Sequence, residues 1–136
     1  MEHKTMTCER IEKALTQAMT AHSNWCRTGR PQASSKAIMT AITGKNQTKI
    51  IPLEEQIESL ICRMFQASPM AADILRLEYG AGWQNVVKRR PGHRIRNFLW
   101  LESTLEQRAK IMKIEPHLYT LYLRSARNTL IDELCK

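Results

Sequence analysis

Apolar residues recur every three or four positions through almost the whole chain, and nowhere do they alternate over more than a few residues. That period matches one face of a helix and does not suit a strand, so the chain is restricted to an all-α fold. Its 136 residues suit a single domain able to bury a core without disulfide or metal staples. We therefore expect one small helical domain over 1–136, with residues 1–51 forming a helix and basic loop region.

The pattern places the helices. Ile11, Ala14, Leu15, Ala18, Met19, His22 and Trp25 share a face from about Thr7 to Trp25. Arg27 to Ser35, with Gly29 and Pro31, reads as a loop. Ser34 or Ser35 can cap a short helix through Ile38 and Ile42 that stops at Gly44. Pro52 opens the next helix, whose stripe is Ile57, Leu60, Ile61, Met64 and Phe65, with Glu54 and Glu55 as helix-end acids. Ser68-Pro69 is an N-cap followed by proline at the first helical position, and the helix it starts ends at Gly80. Gly80-Ala81-Gly82-Trp83 is a turn, Pro91-Gly92 breaks the following segment, and a short helix with Ile95, Phe98, Leu99 and Leu101 resumes after it.

Charge narrows the function. The net +8 is concentrated in two stretches without an acid, +6 over residues 13–51 and +5 over residues 84–101. Such clustering is the footprint of a polyanion-binding face, though a solvated basic surface has the same composition. No run of apolar residues is long enough to span a membrane, and the first residues lack the pattern of a secretion signal, so a soluble intracellular protein is expected. Cys8, Cys26, Cys62 and Cys135 are scattered and read as thiols, mostly buried. With no C-x-x-C or H-x-x-x-H spacing, neither a metal site nor any other cofactor is expected, and His22 reads as a packed histidine. There is no glycine-rich phosphate loop and no nucleophile motif, so the chain does not read as an enzyme.

The last third carries the sharpest signal. Thr104-Leu105-Glu106-Gln107 is a capping box, followed by about two helical turns, the break Lys113-Ile114-Glu115, and a long helix from Pro116 to Leu134. These are the proportions of a helix-turn-helix. Ala109 takes the slot where the helices cross, Met112 and Ile114 flank the turn, and Tyr119 and Tyr122 bury the second helix against the first. Lys113 stands where glycine is common, and Arg108 where an apolar residue is usual. An ordinary helical hairpin would bury the same stripe.

The run from Ile114-Glu115-Pro116 through Ser125-Ala126-Arg127-Asn128-Thr129-Leu130 resembles the second half of sigma-factor region 4, and Ser68 to Gly82 resembles its first half. Residues 52–136 are then a sigma region 4-like helix-turn-helix with a basic insertion at 83–102. A small basic chain with this module behind an amphipathic helix and a loop resembles the Q-type antitermination proteins of lambdoid phages, in the branch with a compact sigma-like domain. The likeness is good over 68–82 and 104–134, and the zinc-binding cysteine motif of another branch is absent.

The resemblance implies a cytoplasmic protein of the bacterial host cell that binds double-stranded DNA near a phage late promoter. It would load onto paused RNA polymerase, with sigma factor a further partner, and hinder terminator hairpins at the RNA exit channel. On the second helix, His117, Leu118, Thr120, Leu121 and Arg124 are not needed for the inner stripe. Arg124 can reach guanine or phosphate, Thr120 can form small hydrogen bonds, and Leu118 or Leu121 can touch a thymine methyl or instead pack on another helix. Arg127 suits a phosphate or an intradomain ion pair. Lys88, Arg89, Arg90, Arg94 and Arg96 are too dense to be neutralised internally and are expected on phosphates of DNA or of nascent RNA. Arg27, Arg30, Lys36, Lys45 and Lys49 form a weaker second patch, and Trp83 and Trp100 read as core. Two rival functions stand beside this one: a promoter-bound activator or repressor, and a module that binds polymerase through protein contacts.

Overall fold

The computed structural model describes residues 2–30, 35–43, 52–90 and 98–135, and every element among them is helical. In chain order these are α1 (Glu2–Thr28), α2 (Ser35–Thr43), α3 (Leu53–Ala67), α4 (Pro69–Tyr79), α5 (Trp83–Arg89), a single 3₁₀ turn (Trp100–Glu102), α6 (Leu105–Ile111) and α7 (Pro116–Leu134). The all-α class expected from periodicity is what the chain adopts. None of the described helices is long and apolar enough to cross a membrane.

The chain divides into two compact units, one of Met1–Leu60 with Asn128–Lys136 and the other of Ile61–Arg127, with the boundaries falling inside α3 and α7. In the first unit the stripe of α1 is buried at Ala14, Leu15, Ala18, Met19 and His22, and Trp25 is half-buried. Ile38 and Ile42 bury the inner face of α2, which packs on α1. Leu53 and Ile57 of α3 and Leu130 and Leu134 of α7 are buried as well. Each fully buried aliphatic side chain stabilises by about 1.5–3 kcal/mol, so the spacing of these residues is the main cause of the unit's helices. The side chains of Ile11 and Lys36, and residues Lys45 and Lys49, lie outside the described residues.

The second unit holds α4, α5, α6 and the first part of α7. Ser68 caps α4, its hydroxyl oxygen accepting the Ala71 N–H at 3.3 Å, with Pro69 in the first turn. Gly80 ends α4 at φ +76°, and the Ala81 N–H donates to the Arg76 carbonyl at 2.9 Å. The core joins Ile74 and Leu77 of α4, Val86 of α5, Ala109, Ile111 and Met112 at α6, and Tyr119 of α7. Met70, Trp83, Val87, Phe98, Leu105, Ile114, Tyr122 and Leu123 pack around it half-buried.

Three expectations need correction. Phe65 is exposed rather than part of the buried stripe of α3, and the Arg89 guanidinium lies 5.4 Å from its ring centre. Glu54 and Glu55 both stand in the first turn of α3, as expected of helix-end acids, with Glu54 buried and Glu55 exposed. Cys26, Cys62 and Cys135 are thiols but all exposed, not buried. Among the described residues the expected helix through Leu101 is replaced by non-helical Phe98 and Leu99 followed by the 3₁₀ turn, and Leu99 and Leu101 both face solvent. Ile95 lies outside the described residues.

Candidate nucleic-acid interface

The α6–α7 pair is built from its caps inward. The Thr104 hydroxyl accepts the Gln107 N–H at 3.2 Å, and the Gln107 side-chain oxygen accepts the Thr104 N–H at 2.9 Å, so the capping box is complete. Ala109 is buried at the core of the pair, where a small side chain was expected. At the other end of α6 the Lys113 N–H donates to the Lys110 carbonyl at 3.0 Å and the Ile114 N–H to the Ala109 carbonyl at 3.1 Å. These two bonds make a Schellman motif with Ile114 packed onto the core beneath it. The motif needs a left-handed residue, and Lys113 supplies it at φ +59°, the only described residue other than glycine with positive φ.

A lysine there carries a conformational cost that glycine avoids. Lys113→Gly is expected to stabilise the chain by about 0.5–1 kcal/mol. The check is a urea unfolding curve, with the midpoint raised and the slope unchanged.

The second departure, Arg108, also has a structural cause. Its Nε donates to Glu78 Oε1 at 3.2 Å, and one terminal nitrogen donates to the Ser103 carbonyl at 2.9 Å and hydroxyl at 3.0 Å. The Tyr119 hydroxyl donates to the same Glu78 oxygen at 3.1 Å. One carboxylate on α4 thus ties α6 and α7 together, which sets the stance of the two helices.

Burial pushes the Tyr119 phenol well above its ordinary value near 10; the Glu78 carboxylate adds to this and Arg108 opposes it. Below about pH 10 the phenol is neutral in folded and unfolded chains alike and its contribution is intact. Above that the unfolded chain loses the proton while the folded one keeps it, so stability falls by up to ~1.4 kcal/mol per pH unit. Unfolding titrations above pH 10 should show this extra slope in the parent chain and not in Tyr119→Phe.

On α7 the inner line is Tyr119, Tyr122, Leu123 and Ala126, buried or half-buried. His117, Leu118, Thr120, Leu121 and Arg124 are all exposed, and helical spacing gathers them on the opposite face together with Ser125 and Asn128. Leu118 and Leu121 are each 42% exposed, so neither is fully packed away. The Thr120 hydroxyl donates to the Pro116 carbonyl at 3.1 Å and keeps its lone pairs for an incoming donor. Arg127 is half-buried, off the outward face.

The basic insertion is less available than its density suggested. Arg89 and Arg90 both pair with Asp73 of α4, which is 2% exposed; the Arg90 Nε lies 3.1 Å from Asp73 Oδ2. They anchor α5 on α4, which corrects the expectation that no internal acid could neutralise them. Lys88 is exposed on the same helix. Arg94 and Arg96 lie outside the described residues. Two exposed cations that sequence reasoning passed over, Lys110 and Lys113, stand at the α6–α7 turn, where their nearness to the second helix was the available signal.

Trp83 and Trp100 were expected in the core but are both only half-buried; Trp83 packs against the core from outside, edge-on to Phe98 at 5.6 Å between ring centres. The Trp100 indole N–H donates to the Glu78 carbonyl at 3.3 Å, and the ring lies against Gly80. The end of the insertion is therefore fastened to the end of α4.

His22 is buried, as a packed histidine would be, and Cys26 lies one turn on, its sulfur 3.5 Å from Nε2. Among protein-family models, curated proteins and solved structures, no match to this chain is found.

Proposed function

We propose that this chain is a sequence-specific DNA-binding transcription factor that reads the major groove with the outward face of α7. The observation that carries the reading is the exposed set His117, Leu118, Thr120, Leu121 and Arg124 on a helix whose other side is locked to α6 by a capped, Schellman-turned bihelical unit. Arg124 is the guanine or phosphate contact, Thr120 a small hydrogen-bonding contact, and the leucines contact thymine methyl groups. Lys88, Lys110 and Lys113 supply phosphate contacts around it.

The resemblance to Q-type antitermination proteins gives the role its fuller form. The chain binds an element near a late promoter, boards RNA polymerase paused there, and carries it through terminators. The test is transcription in vitro through a terminator downstream of the cognate promoter. Readthrough should rise when the protein is added, and unchanged readthrough would remove the antiterminator role while leaving DNA binding to be judged separately.

A second reading draws on the exposure of Leu118 and Leu121, which also suits a helix that docks on polymerase itself. Salt separates the two. Binding to DNA weakens steeply as salt rises because counterions are released on binding, and Lys88→Ala should reduce that slope by about one while weakening all sequences alike. A protein-docking helix would leave DNA binding weak at every salt concentration and indifferent to sequence.

A further inference from the structure

We infer that His22, Cys26 and Glu58 form a binding site for a divalent cation of the zinc class. His22 and Cys26 lie one turn apart on α1, and Glu58 comes from α3 within the same compact unit. Three different donor atoms converge. Nε2 of His22 is 2.9 Å from Glu58 Oε1 and 3.5 Å from Cys26 Sγ, and the sulfur is 4.0 Å from the same carboxylate oxygen.

The separations decide the class of ligand. With Zn–N and Zn–O near 2.0–2.1 Å and Zn–S near 2.3 Å, tetrahedral angles put nitrogen and sulfur about 3.5 Å apart and oxygen about 3.4–3.6 Å from each. The His–Cys edge already has that length. Glu58 is too near the nitrogen and too far from the sulfur by about half an ångström, a correction within reach of a carboxylate that is 28% exposed. Ring orientation is set in advance, because the imidazole is fully buried and lies beside the Trp25 indole, with 6.1 Å between ring centres.

A thiolate, an imidazole and one carboxylate are donors suited to zinc or cobalt, not to magnesium or calcium, which take oxygen shells. On binding, the Cys26 thiol and any proton on Nε2 are released to solvent, the ion takes the three lone pairs, and water fills the fourth position on the exposed side of Cys26. The ion joins α1 to α3 and so stabilises the unit that holds them.

The full chain titrated with Co²⁺ alone should take up one equivalent, with the sulfur-to-cobalt charge-transfer band and the visible bands of a four-coordinate ion. Zn²⁺ should displace it. Cys26→Ser should abolish the charge-transfer band while Cys62→Ser keeps it, and Glu58→Gln should weaken Zn²⁺ binding by more than about 100-fold, beyond what a change outside the ligand set produces. In the parent chain Zn²⁺ should protect Cys26 from alkylation and leave Cys62 reactive, a readout that needs no variant to fold. No saturable band at one equivalent, a band that survives in Cys26→Ser, undiminished affinity in Glu58→Gln, or equal protection of Cys26 and Cys62 would each overturn the assignment.

Discussion

Replacing Gly80 by alanine is expected to destabilise the chain by about 2–4 kcal/mol, a loss large enough to unfold much of a marginally stable domain. Two costs add. The residue ends α4 at φ +76°, a left-handed conformation that a Cβ disfavours by about 1–2 kcal/mol. The added Cβ would also stand 2.7–2.8 Å from three atoms of the Trp100 ring, inside any acceptable contact. Trp100 must then retreat and release its hydrogen bond to the Glu78 carbonyl, which undoes the attachment of the insertion to α4. Trp100→Ala/Gly80→Ala should lose less than the two single losses combined, because the clash disappears with the ring. Equal, fully additive losses would show that the contact between ring and glycine does not matter.

The second large effect centres on Glu78. Replacing it by leucine leaves the Arg108 guanidinium without its carboxylate and the Tyr119 hydroxyl without its acceptor. Breaking a fully buried pair costs 3–5 kcal/mol; with Arg108 15% and Glu78 26% exposed, solvent relieves part of this and about 2–3 kcal/mol is expected. Changing both partners to apolar residues, Glu78→Leu with Arg108→Leu, should recover most of that loss. What remains is the orphaned Tyr119 hydroxyl, worth about 1 kcal/mol. Denaturant unfolding of the two single variants and the double variant measures the coupling directly. A double variant as unstable as the sum of the singles would mean that the three groups do not act as one link.

These two sites mark where sequence reasoning succeeds and where it stops. Local chemistry was legible: Ser68-Pro69, Thr104 with Gln107, and Gly80 announce helix ends because each satisfies or terminates a backbone turn within four residues. The stripe on α1 and the inner line of α7 follow from period alone. Lys113 and Arg108 looked like departures from a helix-turn-helix, and both have causes that local pattern does not contain. Lys113 takes the left-handed turn position despite its side chain. Arg108 is matched by Glu78, thirty residues earlier in the chain. Asp73 with Arg89 and Arg90, Phe65 beneath Arg89, and Glu58 beside His22 are likewise pairings across helices, set by packing. The i, i+4 relation of His22 and Cys26 was visible, but its meaning depended on Glu58. The outward face of α7 was readable because subtracting the buried stripe leaves it. The basic cluster was misread in part because density of charge does not reveal a buried acid.

The claim that α7 reads DNA is tested most directly by selection from a random pool of duplexes, run in parallel with the parent chain and with Arg124→Ala at one fixed salt concentration. The parent chain is expected to enrich one defined sequence. Arg124→Ala should still retain duplex DNA but relax the preference at the position it contacts, by about 1–3 kcal/mol of discrimination. No enrichment by the parent chain, or the same sequence enriched to the same degree by both, would contradict it.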